Sequence, residues 1–477
     1  MLLTLVFIYL ALSIGIGLYA SRQVHSARDY ITANRHLPFP VVLAMVFATW
    51  FGAETVLGIS ATFLESGFRG LISDPLGASL CLVLFGLIFA RPLYRLNLLT
   101  LGDYFRLRYN RSVELAVSMC IVLSYLGWVA AQITALGLVF NVLSENAISM
   151  NQGMLIGMGV VLMYTVFGGM WSVAITTFVQ MIVIIIGLLL VTGEAATQAG
   201  GVATVIAKAA AEGKFNWLPT LDAVDMLGWA AALLTMALGS IPQQDVFQRV
   251  NSSKNESIAI WSTVLGGVAY FFFASVPLFL AYSANLIDPT MVEQLMAKDS
   301  QLVLPTLVVQ HMPFWLQVVF FGALLSVIMS TASGTLLAPS VTFAENVLRP
   351  LLKNQTDQQF LNMTRFIVTC FAALVTGYAI ATDASIHTMV EHAYRVTLAG
   401  AFVPLVFGLF WKRANNRGAM LALVMGLGTW LTLELLGINE PVEPQLIGLL
   451  ASAIGMVIGG LSAPATHPAP PRAAHPH

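Results

Sequence analysis

Hydrophobic runs separated by short polar stretches fill the sequence from residue 2 to residue 463. Most of these runs contain about 20 residues, the length with which an α-helix crosses the ~30 Å hydrocarbon core of a bilayer. The pattern predicts an all-α polytopic membrane protein. We predict about 13 transmembrane helices, at residues 2–20, 39–64, 75–95, 113–143, 150–169, 171–193, 223–242, 257–284, 313–345, 361–382, 385–411, 417–437 and 444–463.

The composition supports this interpretation, because 58% of the 477 residues are hydrophobic and only 9% are charged. Such values lie outside the range of soluble globular proteins. The runs leave no room for a separate soluble domain, so we expect residues 1–464 to form a single membrane domain. The first run lacks the basic start and the cleavage site of a signal peptide and is read as a retained helix. Residues 465–477 are rich in Pro, Ala and His, and we predict a disordered tail.

The distribution of Lys and Arg predicts the orientation. If the N-terminus lies outside, 17 of the 22 basic residues fall in cytoplasmic loops or in the tail, and 4 fall outside. Positively charged loops stay in the cytoplasm. We therefore predict a multi-pass protein of the plasma (inner) membrane, with the N-terminus outside and the C-terminus in the cytoplasm. The net charge of −1 gives no reason to expect a nucleic-acid partner.

Two of the predicted spans contain residues that interrupt a helix. The second span reads "ATWFGAETVLG", with Gly52 and Glu54, and the seventh ends in "LGSIPQQD", with Gly239 and Pro242. Interrupted spans at matching positions, here five spans apart, are typical of inverted-repeat transporters, which bind solute and ions at the breaks. We predict a first repeat at 39–193 and a second at 223–411, with additional helices at 2–20 and 417–463. The alternative is a pair of kinked helices packed against their neighbours.

The first interruption suggests a cation site. Unwinding near Gly52 would release the carbonyl groups of Ala48 and Phe51, and such oxygens suit a small hard cation such as Na⁺. The stretch "SVIMSTASG" in the ninth span offers the hydroxyl groups of Ser330 and Thr331. The alternative is that these hydroxyls bond only to the preceding helical turn.

Five motifs resemble those of the sodium:solute symporter family in their order along the chain: "SARDYITANRHLP", "YTVFGGMWSVAITTFVQ", "FQRVNSSKNES", "VIMSTASGTLLAPSVTFAENV" and "FWKRANNRGA". The resemblance covers about residues 15 to 435. Within the family, "ATWFG", "GWVAAQITALG", "IFARP" and "IPQQDVFQRV" are most similar to the high-affinity choline transporter branch. The resemblance implies a leucine-transporter-type core of two inverted five-helix repeats and solute uptake coupled to Na⁺, with no organic cofactor.

The resemblance also implies a set of sodium ligands. They are the carbonyl groups of Ala48, Phe51 and Val327 and the hydroxyl groups of Ser330 and Thr331. The chain departs from the family at one position, since many members carry an aspartate where this sequence has Thr177. A neutral threonine cannot supply that charge, which argues against a second sodium site.

The resemblance implies a solute pocket as well. Trp50 and Trp128 match aromatic positions that enclose choline in the choline branch, although each is equally consistent with an ordinary packing tryptophan. Gln243 replaces a further tryptophan of that pocket, so we expect a polar solute other than choline. The partners expected are this small organic solute and membrane lipid, with no obligatory protein partner.

Charged residues inside predicted spans add candidates for solute binding. Glu54 lies one turn past the first break, Asp74 opens the third span, and Glu391 and Arg395 are spaced i, i+4 in the eleventh. We expect Glu391 and Arg395 to neutralise each other. In the alternative, Arg395 binds a solute carboxylate while Glu54 faces an amino group, which would suit a zwitterion.

Three other functions compete with Na⁺-coupled uptake: enzymatic activity, proton-coupled uptake and solute sensing. An enzyme is not expected, because the sequence has no H-E-x-x-H motif, and His387 and His392 lack an obvious third metal ligand. Two alternatives remain open: a proton-coupled symporter, with Glu54 and Asp74 as proton carriers, and a solute sensor that has lost transport.

Overall fold

The computed structural model describes residues 1–352, 355–382, 384, 386–438 and 442–462, with the backbone alone at positions 387, 388, 391 and 392. All regular secondary structure in these residues is helical. The predicted tail at 465–477 lies outside the described residues. The α-helices are α1 (Leu2–Ala20), α2 (Ala27–Thr32), α3 (Phe39–Trp50), α4 (Ile59–Ser66), α5 (Ala78–Leu84), α6 (Ala90–Arg95), α7 (Leu101–Arg108), α8 (Arg111–Leu143), α9 (Met150–Gln198), α10 (Val202–Ala211), α11 (Ala223–Gly239), α12 (Gln244–Asn251), α13 (Glu256–Phe273), α14 (Ser275–Ile287), α15 (Pro289–Lys298), α16 (Val303–His311), α17 (Phe314–Thr342), α18 (Asp357–Ala381), α19 (Ile386–Thr397), α20 (Val403–Phe410), α21 (Asn416–Leu435) and α22 (Pro444–Ser462).

Short tighter or wider turns continue several of these helices. Wider π-helical turns occupy Glu54–Gly58, Ile72–Gly77, Phe85–Phe89, Phe343–Leu348 and Leu398–Phe402, and tighter 3-10 turns occupy Ser21–Gln23, Ala33–Arg35, Gly67–Leu71, Ser300–Leu302 and Arg349–Leu351. Single π-helical turns often mark functional sites in helices.

Ten helical stretches of the described chain are long and apolar enough to cross a membrane, or eleven if the bent pair α11 and α12 counts as one more. The predicted all-α, multi-pass architecture is confirmed. The predicted number of 13 helices is not reproduced by this count, because some predicted spans run into one another. The stretch Glu54–Arg95, for example, has 42 residues and includes parts of the second and third predicted spans.

Helix α9 joins the fifth and sixth predicted spans. It has 49 residues, and a helix of that length extends ~74 Å, more than twice the thickness of the hydrocarbon core. Gly169 interrupts it with φ +49° and ψ −134°, a conformation that glycine adopts readily and other residues avoid. Gly169 therefore divides α9 into two parts, each about long enough to cross the hydrocarbon core.

The chain breaks its helical path at both positions predicted from the sequence. Helix α3 ends at Trp50, and Phe51 follows with a non-helical ψ of 72°. The second break separates α11 from α12, whose axes are bent by 46°. At the first break, a Cβ atom on residue 52 would lie 2.4 Å from Oε2 of Glu54, so a residue larger than glycine would displace the Glu54 carboxylate.

Packing brings the first break to the centre of the protein. Helix α17 packs against α3, α8 and α9, and every described residue from Ala323 to Thr342 is buried. Helix α19 packs against α8, α11 and the turn Glu54–Gly58. The two broken segments and these helices enclose the candidate site.

Candidate functional site

The carbonyl groups predicted to bind sodium are released by the first break. In a continuous helix the amide of Gly52 would bond to the carbonyl of Ala48, but it bonds to the carbonyl of Trp50 at 2.8 Å. The amide of Thr55 bonds to the carbonyl of Gly52 at 3.2 Å instead of that of Phe51. The carbonyl oxygens of Ala48 and Phe51 are thus left without their helical partners.

Helix α17 supplies hydroxyl groups to these two carbonyls. The hydroxyl of Thr331 lies 3.2 Å from the carbonyl oxygen of Ala48 and 3.3 Å from that of Phe51. The hydroxyl of Ser330 donates instead to the carbonyl of Val327 at 2.8 Å, which is the local bond of the alternative interpretation. All five residues are buried.

These five residues form a neutral set of oxygen atoms from two elements that are far apart in sequence. Carbonyl and hydroxyl oxygens are the ligands that hard cations prefer, and they satisfy such a cation without burying a second charge. The donor set therefore fits Na⁺.

The two tryptophans predicted to line the solute pocket are stacked on each other. Their ring centroids lie 4.8 Å apart, with 13° between the planes. Tyr394 packs edge-on against both, at 5.6 Å from Trp50 and 5.7 Å from Trp128, and Tyr125 stacks on the other side of Trp128. The facing sides of the two indoles are therefore covered, and the structure represents a closed arrangement of the aromatic rings.

Glu54 is held by neutral donors. Nε1 of Trp128 donates to Oε1 of Glu54 at 3.1 Å, and Nε2 of Gln132 donates to Oε2 at 2.7 Å. The amide of Ala53 donates in turn to Oε1 of Gln132 at 3.1 Å. Sequence reasoning missed Gln132, although its position one helical turn after Trp128 is a signal that was available.

Gln243 belongs to the second break, where it precedes α12. Its Nε2 lies 3.3 Å from the hydroxyl oxygens of both Ser124 and Thr397. Thr397 donates to the carbonyl of Gly239 at 2.6 Å. Because Ser124 lies one turn before Trp128 on α8, Gln243 is a near neighbour of the aromatic rings.

Arg395 follows Tyr394 in α19. Its Nη1 makes an ion pair with Oε1 of Glu434 at 3.3 Å, which connects α19 to α21. Sequence reasoning did not name Glu434. The side chain of Glu391 lies outside the described residues, so the expected pair between Glu391 and Arg395 stays a prediction.

Sequence reasoning also missed a buried polar group on α12. Asp245 accepts a hydrogen bond from the hydroxyl of Tyr125 at 2.5 Å. Arg249 donates from Nη1 to the carbonyl of Met45 and, at 3.0 Å, to the hydroxyl of Thr49. Arg249 is 1% exposed, so a buried cation connects α12 to the first half of the broken segment.

Thr177 is a neutral residue beside other buried polar atoms. The hydroxyl of Thr177 and both polar atoms of the Gln180 side chain are buried, and none of them has a hydrogen-bond partner. The expectation that this region holds no second sodium ion stays a prediction.

Comparison with known proteins identifies the family. The model of the sodium:solute symporter family matches residues 30–426. The chain belongs to the sodium:solute symporter family. Among its relatives, the high affinity choline transporter 1 of Homo sapiens is 28% identical over 444 residues, which are 89% of this chain and 74% of that protein. The sodium/sialic acid symporter of Aliivibrio fischeri is 24% identical over 483 residues, which are 96% of this chain and 92% of that protein.

A solved structure shares the fold of this symporter. It is a substrate-bound, outward-open state of a Na⁺-coupled sialic acid symporter, with a TM-score of 0.83, 19% identity and coverage of 98% of both chains. The predicted family assignment is therefore confirmed. As a family member the protein is a sodium-coupled solute symporter of the membrane, and its family consists of transporters rather than enzymes.

Proposed function

We propose that this symporter takes up a small polar organic solute, with an amine or a zwitterionic structure, together with a Na⁺ ion bound by Ala48, Phe51, Val327, Ser330 and Thr331. The observation that carries the proposal is the position of the Thr331 hydroxyl, 3.2 and 3.3 Å from two carbonyl oxygens released by the first break. An ion at this position connects α17 to the broken segment. Alternating access then consists of movements of these elements around the ion.

We propose two inverted repeats, at 39–193 and 223–411, within 13 membrane crossings of a single domain. The two observed breaks, five predicted spans apart, support this division, and Gly169 supports two crossings within α9. The 17 basic residues on one side and 4 on the other favour an external N-terminus and a cytoplasmic C-terminus in the plasma membrane.

We propose that the solute binds between the two breaks, against Trp50, Trp128, Glu54 and Gln243. Relatives named for choline and for sialic acid show that family membership does not fix the solute. Arg395 is the proposed partner of a solute carboxylate, which would compete with Glu434 for the guanidinium group.

A thermal-shift screen of the purified protein tests this function. Choline, betaine, proline, other amino acids, short carboxylates, sugars and nucleobases are added in Na⁺ or in K⁺ buffer of equal ionic strength. A coupled solute raises the melting temperature more in Na⁺ than in K⁺, because each ligand favours the same folded state. Identical melting temperatures in the two buffers, with and without every solute, would overturn the proposal.

A further inference from the structure

A small cavity with two acidic residues in its lining lies beside the first break and is not explained by the sodium site. It has a volume of about 30 Å³ and is lined by Glu54, Ser73, Asp74, Ala232, Thr235, Met236, Val390 and Tyr394. We call it the acidic cavity. Its volume is sufficient for a water molecule or a chemical group of that size, since one water requires ~10–15 Å³ by the same measure. A larger cavity of about 340 Å³, lined by Phe68, Trp217 and other apolar residues, touches none of the predicted site residues.

Both acids of this cavity are buried and have neutral partners. Glu54 is 2% exposed and Asp74 is 7% exposed. Glu54 accepts hydrogen bonds from Trp128 and Gln132, and Asp74 accepts one from the hydroxyl of Tyr270. The described lining contains no Lys, Arg or His. Burial penalises the ionised form of a carboxylate and a nearby cation offsets that penalty, so the cavity is suited to a positively charged group.

Tyr394 gives independent evidence for a ligand. Its hydroxyl is buried, has no hydrogen-bond partner, and belongs to a residue that lines the acidic cavity. Buried hydroxyl groups are normally hydrogen-bonded, and one that is not calls for a missing partner. A donor group placed in the cavity would supply that partner.

Close polar contacts lead from the acidic cavity towards the sodium site. The hydroxyl of Tyr270, which donates to Asp74, lies 3.0 Å from the hydroxyl of Thr55. The Thr55 hydroxyl also lies 2.7 Å from the carbonyl oxygen of Trp50, which directly precedes the proposed sodium ligand Phe51, and its single hydrogen can be donated either to Trp50 or to Tyr270. A charge bound at Asp74 is therefore a few bonds from the break that binds Na⁺.

We propose that the solute carries a primary ammonium group, which binds in the acidic cavity between Glu54 and Asp74 with the Tyr394 hydroxyl as a further acceptor. This inference rests on the proposed function and names the chemical class of its solute. A primary ammonium group is close to water in size and has three N–H donors, like the end of a lysine side chain. The trimethylammonium group of choline has no N–H donor, so it cannot donate to Glu54, Asp74 or Tyr394. The proposal therefore predicts that choline binds more weakly than a primary amine, although the chain is similar to choline transporters.

Four related amines provide a direct test, because they share one skeleton and differ in the number of N–H donors. They are ethanolamine, N-methylethanolamine, N,N-dimethylethanolamine and choline, all cations at neutral pH. Their binding to the purified full-length protein is measured by calorimetry in Na⁺ buffer. We expect ethanolamine to bind most tightly, each methyl group to weaken binding, and choline to bind at least about tenfold more weakly than ethanolamine, the effect of losing charge-assisted hydrogen bonds.

Variants assign the effect to the cavity. Glu54→Gln and Asp74→Asn each preserve shape and should weaken ethanolamine binding by about tenfold or more. Tyr394→Phe should also weaken it while leaving the melting temperature of the ligand-free protein unchanged, because the hydroxyl it removes has no partner. Glu65→Gln is the matched control, since this exposed acid lies at the far end of the same broken span.

Any of three results would overturn the inference. The first is that choline binds as tightly as ethanolamine, and the second is that none of the four amines binds at millimolar concentrations. The third is that Asp74→Asn decreases the amount of bound ²²Na⁺ when no amine is present, which would mean that the cavity holds a metal ion. The sodium proposal is judged separately: Na⁺ should still raise the melting temperature of Glu54→Gln and Asp74→Asn, whatever the amines do.

Discussion

The indole rings of Trp50 and Trp128 lie face to face, with centroids 4.8 Å apart and planes at 13°. A cation attracted to an aromatic face lies within about 6 Å of the ring centroid, outside the plane of the ring. In this closed arrangement each ring occupies the position that such a cation would take on the other. If the solute binds against these rings as proposed, the two rings must separate to admit it, and the stacking energy of the pair opposes binding.

For a solute whose cationic group lies against the Trp50 ring, we predict that Trp50→Leu weakens binding by about thirtyfold, since cation–π attraction in a desolvated site amounts to ~2 kcal/mol. Trp50→Phe should retain most of the affinity because it keeps an aromatic face. Calorimetry with the solute identified in the screen measures both. Trp261→Leu is the control, since Trp261 is 52% exposed. Equal affinities of Trp50→Leu and the wild type would remove Trp50 from the pocket.

The double substitution Ser330→Ala and Thr331→Ala should raise the Na⁺ concentration for half-maximal uptake at least about tenfold, because it deletes two of five ligands and each hydrogen-bond-like contact contributes about 1 kcal/mol or more. Ser340→Ala with Thr342→Ala is the matched control on the same helix. Those hydroxyls are buried and bond to the carbonyls of Leu336 and Ala338. Unchanged Na⁺ dependence in the first double variant would argue against this sodium site.

We expect one Na⁺ to bind per protein molecule. Thr177 is neutral, and its hydroxyl has no hydrogen-bond partner in the structure, so the region lacks the charge that many relatives place there. Saturation binding of ²²Na⁺ to purified protein measures the stoichiometry directly. A value near two, or a Hill coefficient clearly above one, would contradict the prediction.

Arg249→Gln should loosen the contact between α12 and α3, because it removes the buried donor that reaches Met45 and Thr49. We predict faster labelling of a cysteine at position 49 by a membrane-impermeant maleimide, in a Cys370→Ala background that lacks the exposed native thiol. Arg365→Gln in the same background is the control. Labelling at equal rates in both variants would show that Arg249 does not hold α12 against α3.

The sequence predicted the parts of the site that depend on local chain properties. Gly52 and Pro242 disfavour helix within their own neighbourhoods, so both breaks were visible in a pattern of residue types. The adjacent hydroxyls of Ser330 and Thr331 were assigned to the first break by the family resemblance, since other spans also contain adjacent hydroxyls, such as those of Thr176 and Thr177. Hydrophobicity alone predicted an all-α membrane protein, whereas the leucine-transporter-type fold was predicted from the two breaks and the family resemblance.

The parts that the sequence did not predict depend on contacts between distant segments. Glu54 meets Gln132, 78 residues away, and Asp74 meets Tyr270, 196 residues away. Nothing near either acid indicates its partner, because the partner is selected by helix packing. The number of 13 crossings stays a prediction for a related reason: the distinction between one long helix and two depends on how the chain turns at a residue such as Gly169.

Gly52 stands between a proposed sodium ligand, Phe51, and a proposed solute contact, Glu54, and a Cβ atom on it would meet the Glu54 carboxylate. The backbone that positions the ion and the carboxylate that meets the solute are therefore parts of a single short segment. If Na⁺ raises the affinity for the solute by some factor, the solute raises the affinity for Na⁺ by the same factor, because the coupling free energy is reciprocal. A substitution at Gly52 should consequently reduce this common factor, so that each ligand still binds but neither assists the other.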